Sequence, residues 1–102
     1  MIEKLNKASF DPLLNDKFEV FPVGMDRVEI ELVQIKDKST EYTDAFSLLF
    51  RGPRENVFRQ DTHRMKHPKL GEFDIFIGPV IYPKTDGTYY EVVFNRLKQP
   101  SD

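Results

Sequence analysis

Two histidines stand four residues apart, His63 and His67, the spacing at which a helix would present two imidazoles to one metal ion. The residues around them alternate in type from Thr62 to His67, which predicts a strand, and along a strand four residues span roughly 13 Å. That is too far for one ion, so no metal site is expected; His67 belongs to the turn ahead of Pro68, with His63 partly exposed. Nor does a nucleophile stand out. Ser9, Ser39 and Ser101 lie in no elbow motif, and Ser47 sits in an apolar run, where a hydroxyl bonds backbone or fills space. The pairs Glu29/Glu31 and Glu72/Asp74 alternate with apolar residues, the pattern of a solvated sheet face and not of a matched acid and base. Glycine-rich phosphate motifs are absent, and Arg51-Gly52-Pro53 reads as a turn that ends a strand. No catalytic residue, cofactor or metal is expected, and the chain does not read as an enzyme.

Charge is the other polar signal. The net charge is -2, unevenly spread: residues 51–69 carry six bases and two acids, between an acidic stretch at 1–50 (six and ten) and another at 70–102 (three and five). If Arg51, Arg54, Arg59, Arg64, Lys66 and Lys69 converged on one face, they would meet phosphates while the interleaved Phe58 offered a stacking surface. Glu55 and Asp61 interrupt the run, and the arginines are expected to pair with the acidic N-terminal half. Small-ligand or nucleic-acid binding through 51–69 is therefore the alternative reading, and nucleic-acid binding at moderate salt is not expected.

The elements that must position these side chains are mostly strands. Up to Asn15 the pattern predicts one or two short helical turns, with Ser9 as a cap and Pro12 early in the second; Phe10, Leu13 and Leu14 should plug one end of a core. Phe18, Val20 and Pro22 mark a short strand whose proline puts it at a sheet edge or a strand end, and Gly24 breaks it. Val28, Ile30 and Leu32 alternate with polar residues until the phase slips at Leu32-Val33 towards Val33 and Ile35. Such a slip requires a bulge, which bends a strand and favours a rolled or closed sheet. Lys36–Asp44 reads as a surface connection, and Ala45–Phe50 as a central strand covered on both faces.

The densest apolar stretch runs from Gly71 to Asn95. Gly78-Pro79 interrupts its first strand, because proline cannot donate to a central ladder: either the hairpin across Asp86-Gly87 continues through Val80 to Tyr82, bent by a bulge at Gly78-Pro79, which is the favoured reading, or Gly78 to Thr88 is one long loop. Phe73, Ile75 and Ile77 on one strand and Tyr90, Val92 and Phe94 on the other should be core. Phe76, Tyr89 and Val93 fall on the opposite face, where a single-layer sheet leaves them exposed, and contiguous exposed apolar area marks an interface.

With 102 residues the chain has the length of one domain, expected over 1–102 with fraying at 1–8 and 98–102. It is large enough to bury a core without staples, and the absence of cysteine excludes disulfides and fits a reducing cytoplasm. MIEKLNKASF lacks the apolar core of a signal peptide, and no apolar run approaches the ~20 residues of a membrane helix, so a soluble, cytoplasmic protein is expected.

Three blocks, FSLLFRGP at Phe46–Pro53, HPKLGEFDIFIGPV at His67–Val80 and YYEVVFN at Tyr89–Asn95, with a weaker FDPLLNDKFEV start, resemble a family of small uncharacterised bacterial proteins sharing this motif order. The resemblance implies a bacterial origin and a stand-alone domain of unknown function, transfers no catalytic residue, and tilts towards an assembly or accessory role, phage-tail-like among the options. The expected fold is mainly β, an antiparallel roll or barrel of about six strands with a short N-terminal helical segment. The expected function is non-enzymatic protein interaction, with a partner protein or a second copy docking on an apolar or edge-strand surface.

Overall fold

The computed structural model describes residues 5–97; the expected fraying of 1–4 and 98–102 lies outside the described residues. A short helix α1 (Lys7–Phe10) runs into a 3-10 turn (Asp11–Leu13), and six strands follow: β1 (Lys17–Phe21), β2 (Val28–Asp37), β3 (Thr43–Gly52), β4 (Asp61–His67), β5 (Gly71–Pro79) and β6 (Thr88–Leu97). All pairings are antiparallel, and the order β1-β2-β3-β6-β5-β4 closes as a barrel when β4 returns to β1. The expected mainly β barrel is thus the observed one. No described helix is long and apolar enough to cross a membrane.

Closure rests on the bend in β2. Its first half pairs with β1 through Glu31↔Lys17, Ile30↔Phe18 and Val28↔Val20, and its second half pairs with β3. Between Leu32↔Phe50 and Gln34↔Leu49 the register shifts by one residue, leaving Val33 as the extra residue of a bulge. The alternation predicted this slip: Leu32 is inside before it, and Ile35 packs against the core after it. Because β1 has neighbours on both sides, Pro22 marks the end of the strand and not an edge.

The core is aromatic and plugged at both ends. Near one end Phe10 lies with its ring centre 6.1 Å from that of Phe46 and 5.7 Å from that of Phe94, which stack on each other at 4.5 Å. Phe10 and Leu13 are buried as expected, whereas Leu14 is exposed, because the chain leaves the 3-10 turn at that residue. Asn6, not Ser9, is the cap: its side chain accepts from the Ser9 amide, and the Ser9 hydroxyl accepts from the Asn6 amide, a reciprocal capping box. Leu5 is buried beside it, so this part of the expected frayed start is packed.

Towards the other end the loop after β3 brings Phe58 flat against Tyr90 at 4.0 Å and edge-on to His63 at 5.0 Å. Phe58 is 1% exposed. It is a plug of the barrel and not a surface platform, because an aromatic ring in an otherwise polar loop gains most by closing the open end of an apolar interior. β4 alternates as expected, with Thr62, Arg64 and Lys66 outside and His63, Met65 and His67 inside. Both histidines are buried, which corrects the expectation of a partly exposed His63. His67 Nε2 bonds Asp16 at 2.9 Å, and its Nδ1 accepts from the Lys69 amide at 3.0 Å. The ring tacks the approach to β1 onto the end of β4.

The hairpin expectation needs a larger correction. β5 spends Gly71–Ile77 on β4 in seven consecutive register pairs, and meets β6 only at Gly78↔Glu91 and Pro79↔Tyr90. The Gly78-Pro79 step is therefore where β5 and β6 join, and residues 80–87 form a long connection, closer to the loop alternative than to a continued ladder. Gly78 is required because Gln60 crosses over it: a Cβ there would stand 2.5 Å from Gln60 Cβ.

Candidate interaction surface

The basic residues come from elements that do not converge. Arg51 is on β3 and Arg64 and Lys66 on β4, strands that are separated by two others in either direction around the barrel. Arg51 reaches Glu31 at 3.0 Å and Asp86 at 3.1 Å, Arg59 reaches Asp61 at 3.6 Å, and Arg64 reaches Asp74 at 3.2 Å and Glu72 at 3.7 Å. Pairing with acids is as expected, but only Glu31 belongs to the N-terminal half. Arg54, Lys66 and Lys69 are exposed. With Phe58 buried, no base-stacking surface accompanies these charges. His63 and His67 are each committed to their own oxygen partner, Arg59 and Asp16, and among the described residues no three potential metal ligands assemble.

The apolar candidates divide. Phe76 is 58% and Val93 56% exposed, but Tyr89 is 4% exposed. Tyr89 was expected on the bare face. The connection after Pro79 folds back over that face, and Tyr82 stacks on Tyr89 at 4.3 Å. The same fold-back brings Val80 and Tyr82 beside a cleft of about 240 Å³ that also borders Ser47 and Leu49 on the outside of β3. This explains how β3 is buried on both faces from Ala45 to Phe50, as its unbroken apolar run predicts.

The fold-back is held by a polar cluster that sequence reasoning did not assemble. The Tyr89 hydroxyl donates to Asp86 at 2.7 Å, Arg51 donates to the other oxygen of Asp86, and Arg51 also donates to Glu31. The Tyr89 hydrogen bond, followed by the Arg51 contact, holds the Asp86 carboxyl below the usual carboxylate range. Burial, reinforced by Asp86, pushes the Tyr89 phenol above its ordinary value. Arg51 is raised by Asp86 first and by Glu31 second. The local signal was Asp86-Gly87: a Cβ on Gly87 would come within 2.5 Å of the Gly52 carbonyl oxygen, so only glycine lets the connection lie this close to β3.

Phe76 and Val93 frame an unusual stretch of backbone. Extending the register of Gly78↔Glu91 sets Phe76 opposite Val93, yet the β5–β6 ladder ends before reaching them. The Val80 amide donates to the Tyr89 carbonyl at 2.9 Å, so Tyr89 turns its backbone polar groups towards β5. Alternation along an antiparallel strand points those of Val93, Asn95 and Leu97 the same way. Among the described residues no strand pairs with β6 there, while its other side is matched to β3 from Leu97↔Thr43 to Thr88↔Gly52. By the same alternation Phe76, Asp74 and Glu72 face the gap from β5.

In comparisons with known proteins, a family model described as Domain of unknown function (DUF6916) matches residues 5–94. No curated protein and no solved structure matches.

Proposed function

The chain belongs to the DUF6916 family, a domain of unknown function, and from that premise we propose that it is a non-enzymatic protein-interaction module whose docking surface is the outer side of the β5–β6 seam. One observation carries the reading: Phe76 and Val93, both more than half exposed, stand at opposed positions beside a stretch where, among the described residues, β5 and β6 do not pair with each other. An exposed apolar pair on a scaffold otherwise closed by hydrogen bonds is the arrangement that interfaces use. The partner is a protein chain. The resemblance in motif order supports a bacterial assembly or accessory system, phage-tail-like among the options, and the lack of cysteine fits a cytoplasmic setting. The alternative through 51–69 loses its support with Phe58 inside the barrel and the arginines divided between separate faces.

The test is capture from the native host with wild-type protein, Phe76→Ser and Val93→Ser side by side, followed by binding of the identified, purified partner. The expected result is a partner whose Kd rises at least about tenfold with Phe76→Ser, as for an interface anchor. Equal binding by all three forms overturns the reading, as does tight, salt-sensitive binding of an oligonucleotide.

A further inference from the structure

Only one aspartate or asparagine of the chain precedes a glycine, Asp86 ahead of Gly87. At such a step the backbone can turn on its own side chain. The Gly87 nitrogen attacks the Asp86 carboxyl carbon; a C–N bond forms, a C–O bond breaks, and the amide proton leaves with the carboxyl hydroxyl as water, giving a five-membered succinimide. Water then reopens the ring at either carbonyl, returning aspartate or leaving isoaspartate, and no other reactant is needed. Glycine favours the closure because no Cβ shields its nitrogen or restricts the bend. We propose that Asp86-Gly87 is a site of isoaspartate formation, and that the contacts of Tyr89 and Arg51 with the Asp86 carboxylate are the brake on it. This inference is independent of the interaction reading.

The site combines access with restraint. Asp86 is exposed and lies in the connection ahead of β6, so water reaches it. Each of its carboxylate oxygens is held: the Tyr89 hydroxyl of β6 donates to one at 2.7 Å and Arg51 of β3 donates to the other at 3.1 Å, with Glu31 of β2 also on Arg51. These contacts oppose every requirement of ring closure. Expelling water takes a protonated carboxyl, and both donors favour the ionised one. Bringing the carboxyl carbon onto the Gly87 nitrogen takes a rotation that breaks both bonds. Moving the Gly87 peptide instead is opposed by β3, which lies so close that a Cβ on Gly87 would stand 2.5 Å from the Gly52 carbonyl oxygen and 2.9 Å from Arg51 Cγ. Opening the connection lifts these restraints together. Isoaspartate then keeps it open, because the main chain gains one carbon between residues 86 and 87 and the carboxylate, now on Cα itself, is no longer placed for Tyr89 and Arg51.

The experiment warms the full chain in mildly acidic buffer and follows the tryptic peptide Thr85–Arg96, whose isoaspartate form has the same mass, a different retention time and diagnostic electron-transfer fragments. A synthetic peptide of residues 83–88 supplies the unrestrained rate. Wild type is expected to isomerise at least about tenfold more slowly than that peptide, as a step that requires local opening. Tyr89→Phe should raise the rate about tenfold, the effect of losing a hydrogen bond to a charged group. Arg51→Gln should raise it as well, and carries the test if Tyr89→Phe does not fold. Phe10→Leu, which weakens the core at the other end of the barrel, should leave the rate within about twofold of wild type. Wild type as fast as the peptide overturns the brake, and so do clamp variants no faster than wild type. Equal acceleration by Phe10→Leu overturns the assignment to Tyr89 and Arg51, since the whole fold would then be the restraint. No isoaspartate at Asp86 in any sample, the synthetic peptide included, overturns the site.

Discussion

β6 has two sides with very different fates. Towards β3 it makes ten consecutive register pairs, from Thr43↔Leu97 to Gly52↔Thr88; towards β5 it makes two. The composition of the neighbours does not explain this, because β5 is as apolar on its inner face as β3. The difference is in how each neighbour runs alongside it. β3 pairs along both of its edges, with β2 and with β6, whereas β5 follows β4 residue by residue and meets β6 only at its end, where Gly78 lets Gln60 pass over it. A small barrel can therefore be closed in topology and still, among the described residues, leave part of a strand edge without a ladder, and in this one that edge lies beside the exposed ring of Phe76.

The comparison breaks first on stability. Phe50, fully buried under the β3–β6 ladder and edge-on to Phe18 at 5.3 Å, should cost about 3–5 kcal/mol when replaced by alanine. Phe76→Ala on the seam should stay within about 0.5 kcal/mol of wild type. Chemical denaturation of both variants checks this. A loss of more than about 2 kcal/mol for Phe76→Ala would mean that its ring is packed in solution and that the seam is not an open surface. Phe58→Ala belongs with Phe50, at about 3–5 kcal/mol, since its ring closes an end of the barrel; a near-zero effect would restore it as a surface residue.

The join itself gives the next effect. In Gly78→Ala the added methyl meets both the side chain and the backbone of Gln60, an overpacking worth about 1–3 kcal/mol. It also falls on one of the two pairs that close the barrel. Exchange at the Val80 amide, which bonds Tyr89, should rise in this variant more than exchange along the β3–β6 ladder. Equal acceleration on both sides of β6 would show that the two sides open as one unit and that the asymmetry has no energetic counterpart.

How much of this was legible in the sequence follows from which forces are local. Alternation exposed the inner face of every strand in the Gly71–Asn95 stretch, the bulge after Leu32 and the doubly covered β3, because side-chain direction in a strand depends only on position parity. Strand partners depend on the rest of the chain, and parity says nothing of them. The apolar run Phe73–Ile77 looked like half of a hairpin, and it is half of a different one. Phe58 carried no periodic signal in its polar loop, so its burial against Tyr90 could not be read. Arg51 finds Glu31 and Asp86 at separations of 20 and 35 residues, and a charge run in sequence gave no sign that its members would end on separate strands. Phe76 and Val93 are legible because parity alone sets them opposite the core positions; Tyr89 shares that parity, and only the connection that folds over it buries it.

The smallest effect concerns that connection, which ties the β5 end to the well-paired side of β6 through the contact of Asp86 with Arg51 on β3. Asp86 has its pKa depressed in the folded protein, so its contribution to stability is present above the ordinary carboxylate pKa of about 3.9 and is lost as pH falls through the folded value. Tyr89 has its pKa raised, so its contribution is complete below the ordinary phenol pKa of about 10 and is lost as pH rises through the folded value. The fold-back should thus hold between these limits and loosen beyond either. With four tyrosines and no tryptophan, tyrosine fluorescence reports the Tyr82–Tyr89 stack directly. Asp86→Asn removes the carboxylate that both Tyr89 and Arg51 address, so it should abolish the acid-side change and move the alkaline one towards the ordinary phenol range. Tyr89→Phe should remove the alkaline change and shrink the acid-side one, because the hydroxyl is the largest influence on Asp86. An Asp86→Asn profile superimposable on wild type would mean that the connection is held by the ring stack alone, and the polar cluster would then play no part in keeping β5 and β6 joined.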